Sequence, residues 1–227
     1  MIYPVMRILA LADLHDRWER LEGLSGIEAD LLALCGDIHN GSDASAARPI
    51  LDALSRLSMP CLAVPGNMDQ PQLVEGIWPG NGLQLVHRCC ALIGEAAFYG
   101  MGGMVPRDRS RVGDPNRYYH TDEDVFQTLC SLDSAAAVSR WRVVLAHQPP
   151  RGVQDRLYNG EESGSVGLLR FILDRKPALV LCGHIHEDRG ACRLGKTCVV
   201  NVGEFRRGHF ALVDLGDRGI SVEWLDV

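Results

Sequence analysis

Three times within the first 70 residues an apolar, strand-length run stops abruptly in a short polar loop. Residues 5–12 run into Asp13-Leu14-His15-Asp16, and Leu31–Cys35 runs into Gly36-Asp37-Ile38-His39-Asn40. Cys61–Val64 then leads to Pro65-Gly66-Asn67-Met68-Asp69. Runs with no polar alternation are strands buried on both faces, and helical stretches separate these three. That alternation predicts βαβ units in a parallel sheet. Residues 44–57 place Ile50, Leu51, Leu54 and Leu57 on one helical face, with Ser42 or Asp43 as the N-cap.

Beyond this region, residues 83–100 read as short strands separated by Arg88-Cys89 and Gly94-Glu95. A loop rich in Gly, Arg and Pro covers 100–116, and a helix is expected over 122–138. A strand at 142–146 ends in His147-Gln148-Pro149-Pro150, and a second long loop spans 151–164. A helix over 165–174 stops before Pro177. The strand at 178–182 ends in Gly183-His184-Ile185-His186. The tail (191–194, 197–202, 208–214, 219–225) reads as short antiparallel strands with turns at Leu194-Gly195-Lys196 and Gly216-Asp217. No repeat or linker divides the 227 residues, so a single domain over 1–227 is expected.

Lys and Arg total 23 against 29 Asp and Glu, a formal charge of −6. That balance argues against a surface that wraps nucleic acid, but not against a small phosphorylated substrate held through metal ions. No run approaches the roughly 18 apolar residues of a membrane helix. The N-terminus lacks the charge, apolar stretch and cleavage site of a signal peptide, and Met6 serves equally well as a start. None of the eight cysteines forms a C-x-x-C pair; Cys35, Cys61 and Cys182 lie in apolar runs, and the vicinal Cys89-Cys90 reads as inert. A reduced, cytoplasmic protein is expected.

Five strand ends carry metal-binding residue types: Asp13 with His15, Asp37, Asn67, His147, and His184 with His186. Loops beyond the carboxyl ends of strands form the ligand crevice of open α/β sheets. In an extended segment alternate residues point the same way, so His184 and His186 can share a centre. Three carboxylate or amide oxygens and four imidazoles exceed one tetrahedral zinc site and suit two adjacent metals that share a carboxylate. Mixed N/O donors without thiolate point to Mn, Fe, Zn, Co or Ni rather than Mg or Ca alone; two such ions, Mn above all, are the expected cofactors.

These motifs resemble those of the calcineurin-like metallophosphoesterases, which run D-x-H, G-D, G-N-H-[DE], a lone H and G-H-x-H. Here they stand as Asp13-Leu14-His15, Gly36-Asp37, Gly66-Asn67-Met68-Asp69, His147 and Gly183-His184-Ile185-His186. The stretches from His147 to Asp155 and from Gly183 to Glu187 also resemble the Icc-related branch of bacteria and archaea. The resemblance implies an α/β fold, a four-layer αββα sandwich of two mixed sheets, with a dimetal site on loops at strand ends. By motif position Asp13, His15 and His186 would hold one metal and Asn67, His147 and His184 the other, bridged by Asp37. It implies a bridging hydroxide that attacks phosphorus in line while both cations polarise the phosphoryl oxygens.

One departure bears on activity. The family histidine that follows the G-N asparagine and assists the leaving group is Met68 here, although its acidic partner is kept as Asp69. Methionine has no proton to give, and general acid help is worth about 10²–10⁴-fold. Relatives with this substitution lean to phosphodiesters, which sets the expectation of a phosphodiesterase. Asn67 and Asp69 are the candidate catalytic residues, and His39 is the nearest replacement for the missing acid. Arg17, Arg107, Arg109 and Arg111 are candidate phosphate contacts. Asn201-Val202-Gly203-Glu204 stands where relatives often show asparagine-proline-glycine-serine. The alternative is a catalytically weak protein of this fold that serves as an interaction scaffold, as the fold does in retromer. An amide- or thioester-cleaving dimetal hydrolase has little support, because the chain lacks an H-x-H-x-D-H run.

Overall fold

The computed structural model describes residues 5–41, 44–79 and 82–227. The N-cap expected at Ser42 or Asp43 lies outside them. In chain order the elements are β1 (Met6–Leu11), β2 (Leu31–Cys35), α1 (Ala44–Ser55), β3 (Cys61–Val64), α2 (Pro71–Ile77), β4 (Leu83–Leu85), β5 (Cys90–Ile93) and β6 (Ala96–Met101). There follow α3 (Asp122–Ala135), β7 (Trp141–Ala146), α4 (Val166–Arg175), β8 (Leu179–Cys182), β9 (Gly190–Leu194), β10 (Thr197–Asn201), β11 (His209–Gly216) and β12 (Gly219–Asp226). A 3₁₀ segment, Trp18–Leu24, stands between β1 and β2 where an α-helix would complete a regular βαβ unit.

The strands form two mixed six-stranded sheets, ordered β12-β11-β1-β2-β3-β4 and β5-β6-β7-β8-β10-β9. β1 to β4 run parallel, as do β6, β7, β8 and β10. The tail does not form one antiparallel set, as its sequence suggested. β10 lies parallel to β8 and antiparallel to β9 in the second sheet, whereas β11 and β12 close the first sheet beside β1. Main-chain pairing is chosen by which apolar faces must be covered, and a local pattern does not specify that partner.

The continuous apolar runs are explained by layers on both sides. Alternate residues of β1 and β2, namely Ile8, Ala10, Leu31, Ala33 and Cys35, face the second sheet and pack with Phe98, Val143, Leu145, Leu179 and Leu181. The intervening Leu9, Leu11, Leu32 and Leu34 pack under Ile50, Leu51 and Leu54 of α1 and Val74 of α2. Val144 and Val180 of the second sheet likewise pack against Leu129, Leu168 and Phe171 from α3 and α4. The result is an αββα sandwich. Local signals fix the helix starts: Thr121 and Asp124 form a capping box on α3, and the Ser165 side chain accepts the Leu168 N–H to begin α4. Among the described residues, no helix is long and apolar enough to cross a membrane.

Candidate metal centre

β1, β2 and β3 lie side by side in one sheet and β7 and β8 in the other, all with their carboxyl ends at one end of the sandwich. Backbone hydrogen bonds hold the loops beyond them in register. Asp13 N–H donates to the Gly36 carbonyl at 2.9 Å, His15 N–H to the Asp37 carbonyl at 3.0 Å, and Gly183 N–H to the His147 carbonyl at 2.9 Å. The motif glycines are required by close approach. A Cβ on Gly36, itself at φ +90°, would meet the Gly66 backbone and His147 Nδ1 at 2.7 Å. One on Gly66 would overlap Asp37 Oδ1, and one on Gly183 would lie 2.5 Å from Asp13 Oδ2.

Four of the seven expected ligands hold left-handed backbone conformations: Asp13 at φ 57°, His15 at 48°, Asp37 at 50° and His184 at 67°. Each such residue costs about 1–3 kcal/mol, and such strain collects at functional sites. It turns side chains sharply off the strand ends, and the ligands gather in two groups. Asp13, His15 and His186 form one and Asp37, His147 and His184 the other, with one ligand atom per residue and each group's atoms within 4.8 Å of one another.

Within the first group Asp13 Oδ1 lies 3.1 Å from His186 Nε2 and 3.7 Å from His15 Nε2. Its other oxygen accepts the His184 backbone N–H at 2.9 Å. His15 Nδ1 hydrogen-bonds Asn40 Oδ1 at 2.7 Å, which places the proton on Nδ1 and a lone pair on Nε2. In the second group His147 Nδ1–H donates to the Cys35 carbonyl at 2.8 Å, so Nε2 again points into the site. That nitrogen stands 3.4 Å from Asp37 Oδ2 and 3.1 Å from Asn67 Oδ1, while His15 Nε2 lies 3.9 Å from the same Asp37 oxygen. Asp37 thus reaches both groups.

Electrostatics follow from this crowding. Burial pushes the Asp37 carboxyl up, but His147 beside it, the Met68 N–H and His15 outweigh burial and hold it at about 2. Burial favours neutral His147, yet Asp37 dominates and raises it to about 9. His184 is pushed down to about 4 by burial and by the charge of His147. The residues fit metal ions. With Nδ1 bonded to the Cys35 carbonyl, His147 Nε2 meets Asp37 Oδ2 and Asn67 Oδ1, and a cation in place of the Nε2 proton would take one nitrogen and two oxygen donors. Such a convergence calls for a cation. Asp13 Oδ1, buried and without a hydrogen-bond donor, makes the same demand in the first group.

The residues around the centre divide differently from expectation. Asp69, a candidate catalytic residue, is fully buried and works on the backbone. It accepts the N–H groups of Gly66 at 2.7 Å, His39 at 2.8 Å and Ile38 at 3.3 Å, which ties the Asp37 loop to the Asn67 loop. Burial and the Asp37 charge push its carboxyl up to about 7. His39 is 1% exposed; its Nε2 accepts the Trp78 indole N–H at 3.1 Å, and its Nδ1 lies 3.7 Å from Asp16. A buried imidazole whose Nε2 acts as acceptor has no proton to deliver from that nitrogen. Met68 is half-buried and gives its backbone N–H to Asp37 Oδ1 at 2.7 Å.

Arg17 is exposed. Arg107 pairs with Glu161 at 2.8 Å, Arg109 with Asp122 at 3.4 Å, and Arg111 donates to the Tyr119 hydroxyl at 2.6 Å. None of the four belongs to either ligand group. Sequence reasoning missed the groups that orient two of the histidines, Asn40 and the Cys35 carbonyl, and the buried Glu204 that stands 3.6 Å from His186. Only Glu204 carried a signal, its departure from the family's serine.

Comparison with known proteins bears on the family and the fold. The family model described as metallophosphoesterase, calcineurin superfamily, matches residues 43–225. An uncharacterised protein of Methanocaldococcus jannaschii is 28% identical over 207 residues, covering 86% of this chain and 87% of its own. Among solved structures, TT1561 of Thermus thermophilus is similar with a TM-score of 0.74 at 21% identity, covering 98% of this chain and 99% of that one. A dimetal phosphatase from Danio rerio is similar with a TM-score of 0.69 at 13% identity, covering 99% of each chain. The likeness to these structures is one of fold. Matched over most of its length, the chain belongs to the calcineurin superfamily of metallophosphoesterases.

Proposed function

We propose that this protein is a dimetal phosphoesterase that favours small phosphodiesters. Asp13, His15 and His186 would hold one cation, Asn67, His147 and His184 the other, and Asp37 both. The observation that carries this reading is the Asp37 carboxylate, whose Oδ2 approaches Nε2 of His147 and of His15, one from each group. Bound there, two cations supply Lewis acidity to water and to phosphoryl oxygens. The N/O donor set admits Mn, Fe, Zn, Ni and Co, and Mn is the cation proposed. Free cysteines throughout are in keeping with a reducing, cytoplasmic setting.

Substrate preference follows from what stands beside Asn67. Met68 cannot protonate a leaving group, and His39 is buried with its Nε2 engaged by Trp78. Esters of acidic alcohols therefore react fastest, because their leaving groups depart without help. The singly charged diester also asks for fewer cationic side chains than a monoester, and Arg107, Arg109 and Arg111 already have partners. The loop after His147, which resembles the Icc-related branch, is consistent with this reading.

The test is turnover of aryl diesters and monoesters by metal-stripped protein reconstituted with Mn²⁺. The reading expects diesters to be preferred and rates to fall steeply as the leaving alcohol becomes less acidic. Met68→His should restore about 10²–10⁴-fold for poor leaving groups and change little for p-nitrophenol. A monoester preference with a shallow dependence would contradict it.

A further inference from the structure

The segment after β10 departs from the family pattern where it meets the first ligand group. Asn201 is buried, and its side-chain amide donates to the Ile185 carbonyl at 2.8 Å, between the two histidines of the Gly183-His186 loop. Phe205 N–H donates to the Ala12 carbonyl at 2.9 Å and Arg206 N–H to the Asp13 carbonyl at 3.0 Å. Residues 201–206 are thus fastened both to the loop that carries His186 and to the strand end that carries Asp13.

Glu204 lies between these attachments and is 1% exposed. Its Oε1 is 3.6 Å from His186 Nδ1 and 2.5 Å from Arg206 Nη2, and its Oε2 is 2.9 Å from Arg207 Nε. Neither oxygen has a well-aligned hydrogen-bond donor. A carboxylate removed from water and held only by surrounding positive charge is costly, and serine at this position would avoid that cost. Across the imidazole, His186 Nε2 faces Asp13 Oδ1 at 3.1 Å.

The geometry points to Glu204 as a positioning residue for the first metal site. Its negative charge, 3.6 Å from His186 Nδ1, favours the tautomer with the proton on that nitrogen and so leaves the Nε2 lone pair on the side of Asp13. Arg206 and Arg207 hold the carboxylate in place from the solvent side. At His15 and His147 a hydrogen bond to Nδ1 does this work, from Asn40 and from the Cys35 carbonyl; at His186 the nearby carboxylate charge stands in that place. Outer partners of this kind change metal affinity by about 10–100-fold. The inference rests on the assignment of Asp13, His15 and His186 as ligands.

The experiment is a zinc titration of metal-free wild type, Glu204→Gln and His186→Ala, with bound metal counted after dialysis. His186→Ala should lose one of two zinc ions. Glu204→Gln should keep both and bind one about 10–100-fold more weakly, with the other unchanged. Equal weakening of both sites, or no change at either, overturns the role of Glu204. Two tight sites in His186→Ala would instead overturn the ligand assignment, and the proposal with it. A second readout needs no variant and so survives poor folding of Glu204→Gln. In zinc-loaded wild type, ¹⁵N NMR should find His186 protonated on Nδ1 and coordinated through Nε2, and coordination through Nδ1 would overturn the proposal.

Discussion

Asp37 Oδ2 stands 3.4 Å from His147 Nε2, a contact across the two sheets that places one carboxylate at the junction of both ligand groups. It depends on a narrow passage of backbone, because Gly66 lies directly against the other carboxylate oxygen. A Cβ there would overlap both Asp37 Oδ1 and the Asp37 backbone nitrogen. Gly66→Ala should displace Asp37 and weaken metal binding by about 10–100-fold. Gly76→Ala in α2, where nothing lies within 4 Å of the new methyl, is the matched control and should raise stability slightly. Metal counting and chemical denaturation of both variants check this.

Asp69 makes a separate prediction, because its carboxylate serves the backbone. Three N–H groups from two loops lose their acceptor in Asp69→Ala. Each buried N–H left without an acceptor costs about 1–3 kcal/mol, so the loss over three should be about 3 kcal/mol or more. The fall should appear in urea denaturation of the metal-free protein, since the clamp does not require a cation. Metal affinity should drop with it, because the Asp37 and Asn67 loops separate.

Acid should weaken the fold through a histidine pair that belongs to neither ligand group. His87 and His120 stack with ring centres 5.5 Å apart, near Arg88 and Tyr118, with Asp124 acting on His120. Burial and neighbouring positive charge push His87 down to about 3 and His120 down to about 4. Unfolding restores the ordinary value near 6.5, so the unfolded chain binds more protons in the interval between. Stability is therefore full above about pH 6.5 and falls as the pH drops toward 3. For His87 alone the loss between pH 8 and pH 5 is about 2 kcal/mol. His87→Asn, whose side-chain oxygen can replace Nδ1 as acceptor for the Gly102 N–H, should flatten that dependence. Urea midpoints at the two pH values measure it.

Much of the centre was legible because each ligand follows an apolar run and a glycine or short turn that the packing requires. Gly36, Gly66 and Gly183 stand where no Cβ fits, so the sequence carries the close approach directly. The two-faced burial of β1 and β2 was equally plain, since Ile8, Ala10 and Ala33 serve one core and Leu9, Leu11 and Leu32 another. The split of the tail was not, because β10 and β11 have similar local patterns and join different sheets. Nor were the groups that hold the histidines. A carbonyl such as that of Cys35 has no residue signature, and Asn40 is one polar loop residue among several. The surroundings of His39 were also hidden: it is close to Asp37 in sequence, but its Nε2 is taken by the Trp78 indole N–H.

The most direct test of the account is Mn²⁺-dependent hydrolysis of bis-p-nitrophenyl phosphate by the wild type and by Asp37→Asn, with bound metal counted in each. The account predicts two metals and turnover in the wild type. It also predicts loss of at least about 10²-fold in rate and of tight binding at one site in the variant. Two metals bound by the wild type with no turnover of any activated ester would contradict it and leave the chain a metal-binding scaffold.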